Sequence, residues 1–255
     1  MEHLLRATAL AEARHFWFRG FRYFVTPLLR KAASGQPSLR LLDCGCGTGN
    51  NLALLGRFGR AYGFDLTAAG LTLGREAGRS RLARATVTAV PFPANTFDIV
   101  TSFDVLYSLE APDERDAISE MYRVLKPGGF LIVNVAAMES LRGDHSVLSR
   151  EVRRYSRASL ERALTLGGFA IERLTYTNAV LYPAMALARA VQRRRGLSTE
   201  EHAKQEIQVP AAPVNLALTA ALWTESLWIR VLDNPFGSSL LCLARKPASP
   251  GTRKA

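Results

Sequence analysis

The chain is short of several things, and each shortage narrows what it can be. Among its 255 residues there are three cysteines, Cys44, Cys46 and Cys242. The number is odd, two of them sit inside one glycine-rich turn, and the partners of a zinc site are missing. They read as reduced packing cysteines of a cytoplasmic protein, and no metal is expected. No run of about 18 residues is free of charge, so no membrane-crossing helix is expected. The first twenty residues carry charge throughout, which gives no sign of a secretory signal. Histidine is scarce, with only His3, His15, His145 and His202. Lysine is scarce too: the net charge of +11 comes from 28 arginines and only 5 lysines. The basic clusters, Arg150–Arg157 and Arg193–Arg195, lack the interleaved aromatics of an RNA-binding surface. In an alanine-rich chain this arginine excess reflects coding bias as much as a polyanion partner, and nucleic acid is disfavoured.

What is present is a rhythm. The length suits one large domain with a substantial core. Residues 3–33 read as helical, with Pro27 either starting a second helix or kinking the first. Gly35-Gln36-Pro37 then breaks to a strand at Leu39–Asp43. A helix at Asn50–Arg60, a strand at Ala61–Phe64 and a helix at Thr67–Gly78 follow. A third strand is expected at Arg84–Val90 and a fourth at Phe97–Thr101. A helix at Pro112–Leu125 stops at Lys126-Pro127-Gly128-Gly129, before an almost wholly apolar fifth strand at Phe130–Ala136. Strands and helices alternating at this spacing predict a parallel α/β sheet with right-handed crossovers. Beyond residue 136 come a helix at Arg157–Gly167, strands at Phe169–Thr175 and Ser239–Arg245, and between those strands two apolar segments, Val180–Val191 and Val214–Leu232. The expected organisation is an N-terminal helical cap over residues 1–36 and a main domain over 37–255, with a helical insertion at about 178–235.

The first strand ends in Asp43, and Gly45, Gly47 and Gly49 follow at alternate positions before a helix. A strand, glycine turn and helix is the first half of a nucleotide-binding crossover. A dinucleotide turn would place its third glycine at Asn50. There is no Gly-Lys-Ser/Thr, which excludes a triphosphate loop. A tight connector without a ligand is the bland alternative.

The run DCGCGTGNN resembles the first motif of class I S-adenosylmethionine-dependent methyltransferases, of the methyltransferase type 11-like subgroup. Asp65, sixteen residues past Gly49, matches the acid that accepts the ribose diol in that family. VPFPANTFDIVTSFDVLYSL resembles the segment around its fourth strand, and RVLKPGGFLIVNVA its fifth-strand motif. The resemblance covers residues 39–136 and implies a Rossmann-like, seven-stranded, mostly parallel sheet with helices on both faces. It implies S-adenosylmethionine as cofactor, S-adenosylhomocysteine as product, and a site holding Asp43, Gly45, Cys46, Gly47, Gly49, Asp65 and its neighbour Leu66. Phe103, just past the expected fourth strand, belongs to the same set. Asp43 either orients the turn or meets the cofactor's ammonium through water. The family often has an acid facing the adenine, where this chain has Thr86; the backbone of Val87 is the other partner there. A frequent histidine after the fourth strand is Ser108 here.

For the acceptor side, His145 and Tyr155 in DHSVLSREVRRYSRASL resemble a histidine-then-RRY segment of a bacterial subgroup. They are the expected catalytic pair, a solvated loop histidine being the alternative for His145. A second histidine of that subgroup would fall at Glu151, an acid able to pair with Arg154 or His145. Trp17, Arg19 and Arg154 are the expected substrate contacts, with Phe18 helping Trp17 to cap the cleft and helix packing accounting for Phe16 and Phe21. Because a sulfonium is already a good leaving group, positioning carries much of the work, and a base is needed only if the acceptor must lose a proton. The insertion has three competing readings: a lid over an apolar acceptor, an interfacial helix at a membrane, or a homodimer surface. The expected activity is methylation of a small lipophilic metabolite, with or without an acidic or phosphate group. The rivals are a non-catalytic cofactor-binding module and methylation coupled to rearrangement or cyclisation.

Overall fold

The computed structural model describes residues 11–12, 14–143, 146, 151–195 and 209–248. Strands β1 (Leu39–Cys44), β2 (Gly59–Asp65), β3 (Leu82–Arg84), β4 (Phe97–Phe103), β5 (Leu125–Ala136), β6 (Ala170–Thr177) and β7 (Ser239–Arg245) form one sheet. Their order is β3-β2-β1-β4-β5-β7-β6. The first five run parallel, and β7 is antiparallel to both β5 and β6. The order reverses between β1 and β4, and the crevice at the carboxyl ends of two such strands is where open α/β sheets bind ligands.

Helices α1 (Phe16–Ala33), α2 (Leu52–Leu55), α3 (Ala68–Glu76), α4 (Ala111–Val124), α5 (Arg157–Leu166), α6 (Tyr182–Arg195) and α7 (Ala212–Trp228) accompany the sheet. Alternation along the central strands divides the core. Leu131, Val133 and Val135 of β5 join Ile118 and Met121 of α4 on one face. Ile132 points to the other face, with Leu241 and Leu243 of β7 and with Phe24, Val25, Leu28 and Leu29 of α1. Two-residue periodicity lets one apolar run serve both faces.

The second of these faces is completed by α7, so the late insertion is built into the core. A Cβ on Gly20 of α1 would lie 2.3 Å from Leu222 Cδ1, and only glycine allows the helices to approach so closely. Asn215 joins their starts: its Oδ1 accepts from Phe16 N–H (2.8 Å) and its Nδ2 donates to the Arg14 carbonyl (2.9 Å). Farther along α7, the fully buried Glu225 accepts from the amides of Ala179 (2.9 Å) and Val180 (3.1 Å) and from Asn234 Nδ2 (2.9 Å).

Several boundaries differ from the sequence expectation. The helix expected at 50–60 is a single turn, closed at Gly56. The third strand is three residues long and ends at Arg84, not Val90. The Thr86 hydroxyl accepts from Thr88 N–H (3.3 Å), and this local bond turns the chain before Pro91. By contrast, β5 starts at Leu125 and runs through the Pro-Gly-Gly expected to separate it from the preceding helix. A register shift between Phe97 and Ile99 of β4 absorbs the irregularity. Pro27 lies inside an unbroken α1.

Candidate active site

A cavity of about 190 Å³ opens at the β1/β4 reversal. The glycine turn forms its floor, the exit of β4 one wall, and the first turns of α1 its roof. Gly45, Gly47 and Gly49 have φ of 76°, 56° and 76°, a region that penalises any side chain. At Gly45 a Cβ would also lie 2.4 Å from Val105 Cγ2, whereas at Gly47 it would meet nothing within 4 Å. Gly47 thus presents bare backbone to open space, the close approach that a ligand lying on the turn requires.

One acid holds the turn, and a second lies beneath it. Asp65, half-buried at the end of β2, accepts from Gly47 N–H through Oδ2 (2.8 Å) and from Thr67 N–H through Oδ1 (2.8 Å). Each oxygen keeps a free lone pair, so the carboxylate can fix the turn and still accept from a diol. Asp43 lies buried beneath. Its Oδ1 accepts from Thr101 Oγ1 (2.7 Å), and its Oδ2 is buried without a partner. Burial, aided by the charge of Asp65 and opposed by the Thr101 bond, pushes its carboxyl up to about 7. Its one hydrogen bond goes to Thr101 of β4, and its side chain does not line the cavity. Cys46 and Phe103 do line it, and Phe103 packs edge-on against Phe21, with ring centroids 4.9 Å apart. Leu66 is exposed beyond the end of β2, and Val87 is packed in the core. Leu66, Thr86 and Val87 therefore lie outside this cavity, on the side of the sheet reached past Asp65. The bare Gly47 and the spare acceptor capacity of Asp65 together fit an aminoacyl nucleoside cofactor.

The roof corrects the substrate expectations. Trp17, Phe18, Phe21 and Arg22 line the cavity, whereas Arg19 is exposed on the far side of α1. Helical periodicity explains it: positions 17, 18, 21 and 22 share one face, and position 19 is turned more than a quarter-circle away. Phe21, expected only to pack, does both. Glu12 joins the lining, with Thr48 Oγ1 donating to its Oε2 (3.4 Å); burial raises its carboxyl pKa against the pull of Arg79 and Arg22.

Arg154 does not reach the cavity. It is buried and forms an ion pair with Glu151 (2.9 Å), the pairing anticipated from sequence. Its Nε also donates to the Ala137 carbonyl (2.9 Å). Its Nη2 donates to the Ser238 carbonyl just before β7 (3.4 Å), so the side chain fastens the 151–155 segment to the ends of two strands. Tyr155 is likewise buried, its hydroxyl donating to Glu114 and to the Leu106 carbonyl (3.4 Å). Burial and the Glu114 carboxylate push that phenol well above its ordinary value. The side chain expected to handle a proton is instead an internal anchor outside the cavity lining. His145 lies outside the described residues.

The acid that sequence reasoning missed is Asp104, one residue past Phe103. It stands at the cavity wall with φ of 60°, and exchanges two bonds with Asn134. Asn134 Nδ2 donates to its Oδ1 (2.9 Å), and its own N–H donates to the Asn134 carbonyl (2.9 Å). Solvent reaches it through the cavity, while the protein packed around it drives its carboxyl up to about 7; cavity water works against that rise. Glu151 adds to the shift, whereas the Asn134 bond and Arg154 oppose it. Arg154 thus bears on the site through Asp104. The available signal was position: an acid at the carboxyl end of a central strand.

Residues 42–133 match the family described as "Methyltransferase domain". The ubiquinone/menaquinone biosynthesis C-methyltransferase UbiE of Shewanella halifaxensis is 32% identical over 138 residues, 49% of this chain and 52% of that protein. Demethylmenaquinone methyltransferase of Anoxybacillus flavithermus is 34% identical over 123 residues, 44% of this chain and 51% of that protein. The chain spans about half the length of these curated relatives. Among solved structures, phosphoethanolamine N-methyltransferase 2 of Haemonchus contortus, in complex with S-adenosylmethionine, aligns over 97% of this chain and 57% of that one, with 21% identity and a TM-score of 0.61. Residues 42–133 thus match a methyltransferase domain, and the chain shares the fold of that S-adenosylmethionine-bound structure.

Proposed function

We propose that this protein transfers a methyl group from S-adenosylmethionine to a small, lipophilic, ring-bearing acceptor of the hydroxylated quinol class. The observation that carries the reading is the juxtaposition of the Asp65-braced glycine turn with an aromatic cavity whose wall carries an exposed acid, Asp104. The names of the two quinone-pathway relatives support the acceptor class.

The bound cofactor would supply an electrophilic methyl on a good leaving group. The protein's own residues do the rest. Gly45 and Gly47 bring backbone against the aminoacyl part, and Asp65 orients the ribose. Trp17, Phe18, Phe21 and Phe103 exclude water and stack an aromatic acceptor. Asp104 accepts the proton that an acidic ring hydroxyl gives up as the ring becomes nucleophilic. A carboxyl raised toward neutrality is suited to that exchange at physiological pH. This assignment takes the role from Tyr155, whose hydroxyl is held by Glu114.

Calorimetric titration with S-adenosylhomocysteine should give saturable binding. Incubation with S-adenosylmethionine and demethylmenaquinol, beside a panel of hydroxylated aromatics, should give a singly methylated product by mass spectrometry. Binding without turnover across the panel would favour a cofactor-binding module. Absence of binding would defeat both readings.

A further inference from the structure

Helix α7 carries one charged residue in seventeen, Glu225, and that residue is buried. Its inner side is used up on α1 and β7. The outer side presents Leu216 (66% exposed), Trp223 (49%), Leu227 and Trp228, and continues into Val231 (84%) and Leu232 (68%). An apolar stripe of this length, about 25 Å for a helix of seventeen residues, is not the surface of a helix that ends in water. We infer that the outer face of α7 and the Val231-Leu232 turn form an interfacial docking surface for a lipid bilayer bearing anionic headgroups.

Three observations select that occupant. The first is charge. The chain is +11 overall, Arg230 is exposed beside Trp228 and Val231, and Asp233, the acid next along the chain, is paired with Arg173 at 3.0 Å. The stripe therefore offers no free acid to an anionic surface, and the field of the whole molecule draws it there. A second copy of the same chain would instead bring two molecules of charge +11 together, Arg230 beside a like-charged rim. The second is the residue type. The outer face carries two of the chain's three tryptophans, the side chain that settles at the headgroup level with its ring in the apolar layer and its N–H in the polar one. The Trp228 indole N–H is satisfied within the protein by the buried Asn234 Oδ1 (2.8 Å), so its exposed ring can enter an apolar layer without an unpaired donor. The third is length and composition. Among the described residues no helix is long and apolar enough to cross a membrane, so α7 lies along the surface.

The placement also has a consequence for access. Helix α7 packs on α1 at Gly20 and Leu222, and α1 supplies the roof of the cavity. A bilayer on the outer face of α7 brings the site within one helix of a reservoir of lipophilic molecules.

The test uses the full chain and neither cofactor nor acceptor, so its outcome is independent of the methyltransferase reading. Vesicles of phosphatidylcholine with phosphatidylglycerol are compared at low salt with vesicles of phosphatidylcholine alone, by co-sedimentation. Partition into the anionic vesicles should be at least about tenfold stronger. Leu216→Glu combined with Val231→Glu should lower it at least about tenfold while circular dichroism and Tm stay unchanged. In a Trp17→Phe background only Trp223 and Trp228 remain to fluoresce, and their emission should shift to the blue on adding anionic vesicles. Absence of partition at low salt would overturn the inference. So would undiminished partition of the double glutamate variant, which would mean general electrostatic attraction. A dimer seen by ultracentrifugation and abolished by the same substitutions, without vesicle binding, would assign the face to a second copy and equally overturn it.

Discussion

Asp65 and Glu225 are both carboxylates that accept two backbone N–H groups, one in the glycine-turn half of the molecule and one in the late helical insertion. Asp65 is half-buried beside a cavity and keeps lone pairs to spare. Glu225 is wholly buried, has Asn234 as a third partner, and has no opening beside it. The first acid leaves capacity for a ligand; the second closes a joint between α7 and the start of α6. The same functional group thus makes a site or a staple according to what its remaining lone pairs can reach. Burial raises the pKa of Glu225 and hydrogen bonds lower it, with burial the larger influence.

The contrast is broken most severely at Glu225. Glu225→Ala should cost about 3 kcal/mol of stability, because three donors lose their acceptor inside the protein, and denaturant titration would read it. If the loss were within ~0.5 kcal/mol, α7 would not be the integral element described above. Next comes Asp104→Asn, which should lower kcat about 100-fold while leaving affinity for S-adenosylhomocysteine unchanged. The variant should also lose the rise in rate toward about pH 7, where the Asp104 carboxyl ionises and becomes able to take a proton. An unchanged pH profile would remove Asp104 from proton transfer.

Asp65→Ala should weaken S-adenosylhomocysteine binding about 30-fold by calorimetry, with a smaller effect on folding than Glu225→Ala. That ordering is what separates a site from a staple. Gly20→Ala should cost about 1–2 kcal/mol by forcing α1 off Leu222, and should loosen the roof of the cavity as it does so.

The last comparison concerns Asp43. Folding raises its carboxyl from 3.8 to about 7, so between those values the folded protein holds a proton that the unfolded chain releases. Its contribution to stability is therefore full at the acid end of that window and is lost as pH rises through about 7. In Asp43→Asn this component of the pH dependence should disappear from a series of thermal melts.

Much of the glycine-turn half was legible because its signals are local. Gly45, Gly47 and Gly49 are demanded by backbone conformation, and Asp65 by the end of the strand it closes. The apolar run of β5 and the order of elements along the chain were equally plain. The acceptor side was read less well. Arg154 and Tyr155 look like functional residues in a linear motif, yet which partners consume their donors depends on Glu151 and Glu114, the latter 41 residues away. Arg19 was expected at the cleft and Arg22 stands there instead, because the helical phase relative to the cavity is a tertiary quantity. Asp104 passed unnoticed because nothing in its neighbours announces that β4 ends at the reversal of strand order.

By itself the sequence determined the alternation of strands and helices, the glycine turn and the acid beside it, since each follows from backbone sterics and apolar periodicity within a few residues. Tertiary structure alone decided that α7 completes the sheet's second face against α1, that Glu225 is sealed while Asp65 stays open, and that Asp104 takes the place at the cavity wall. Those outcomes depend on which distant surfaces meet, and the meeting is fixed by packing the whole sheet.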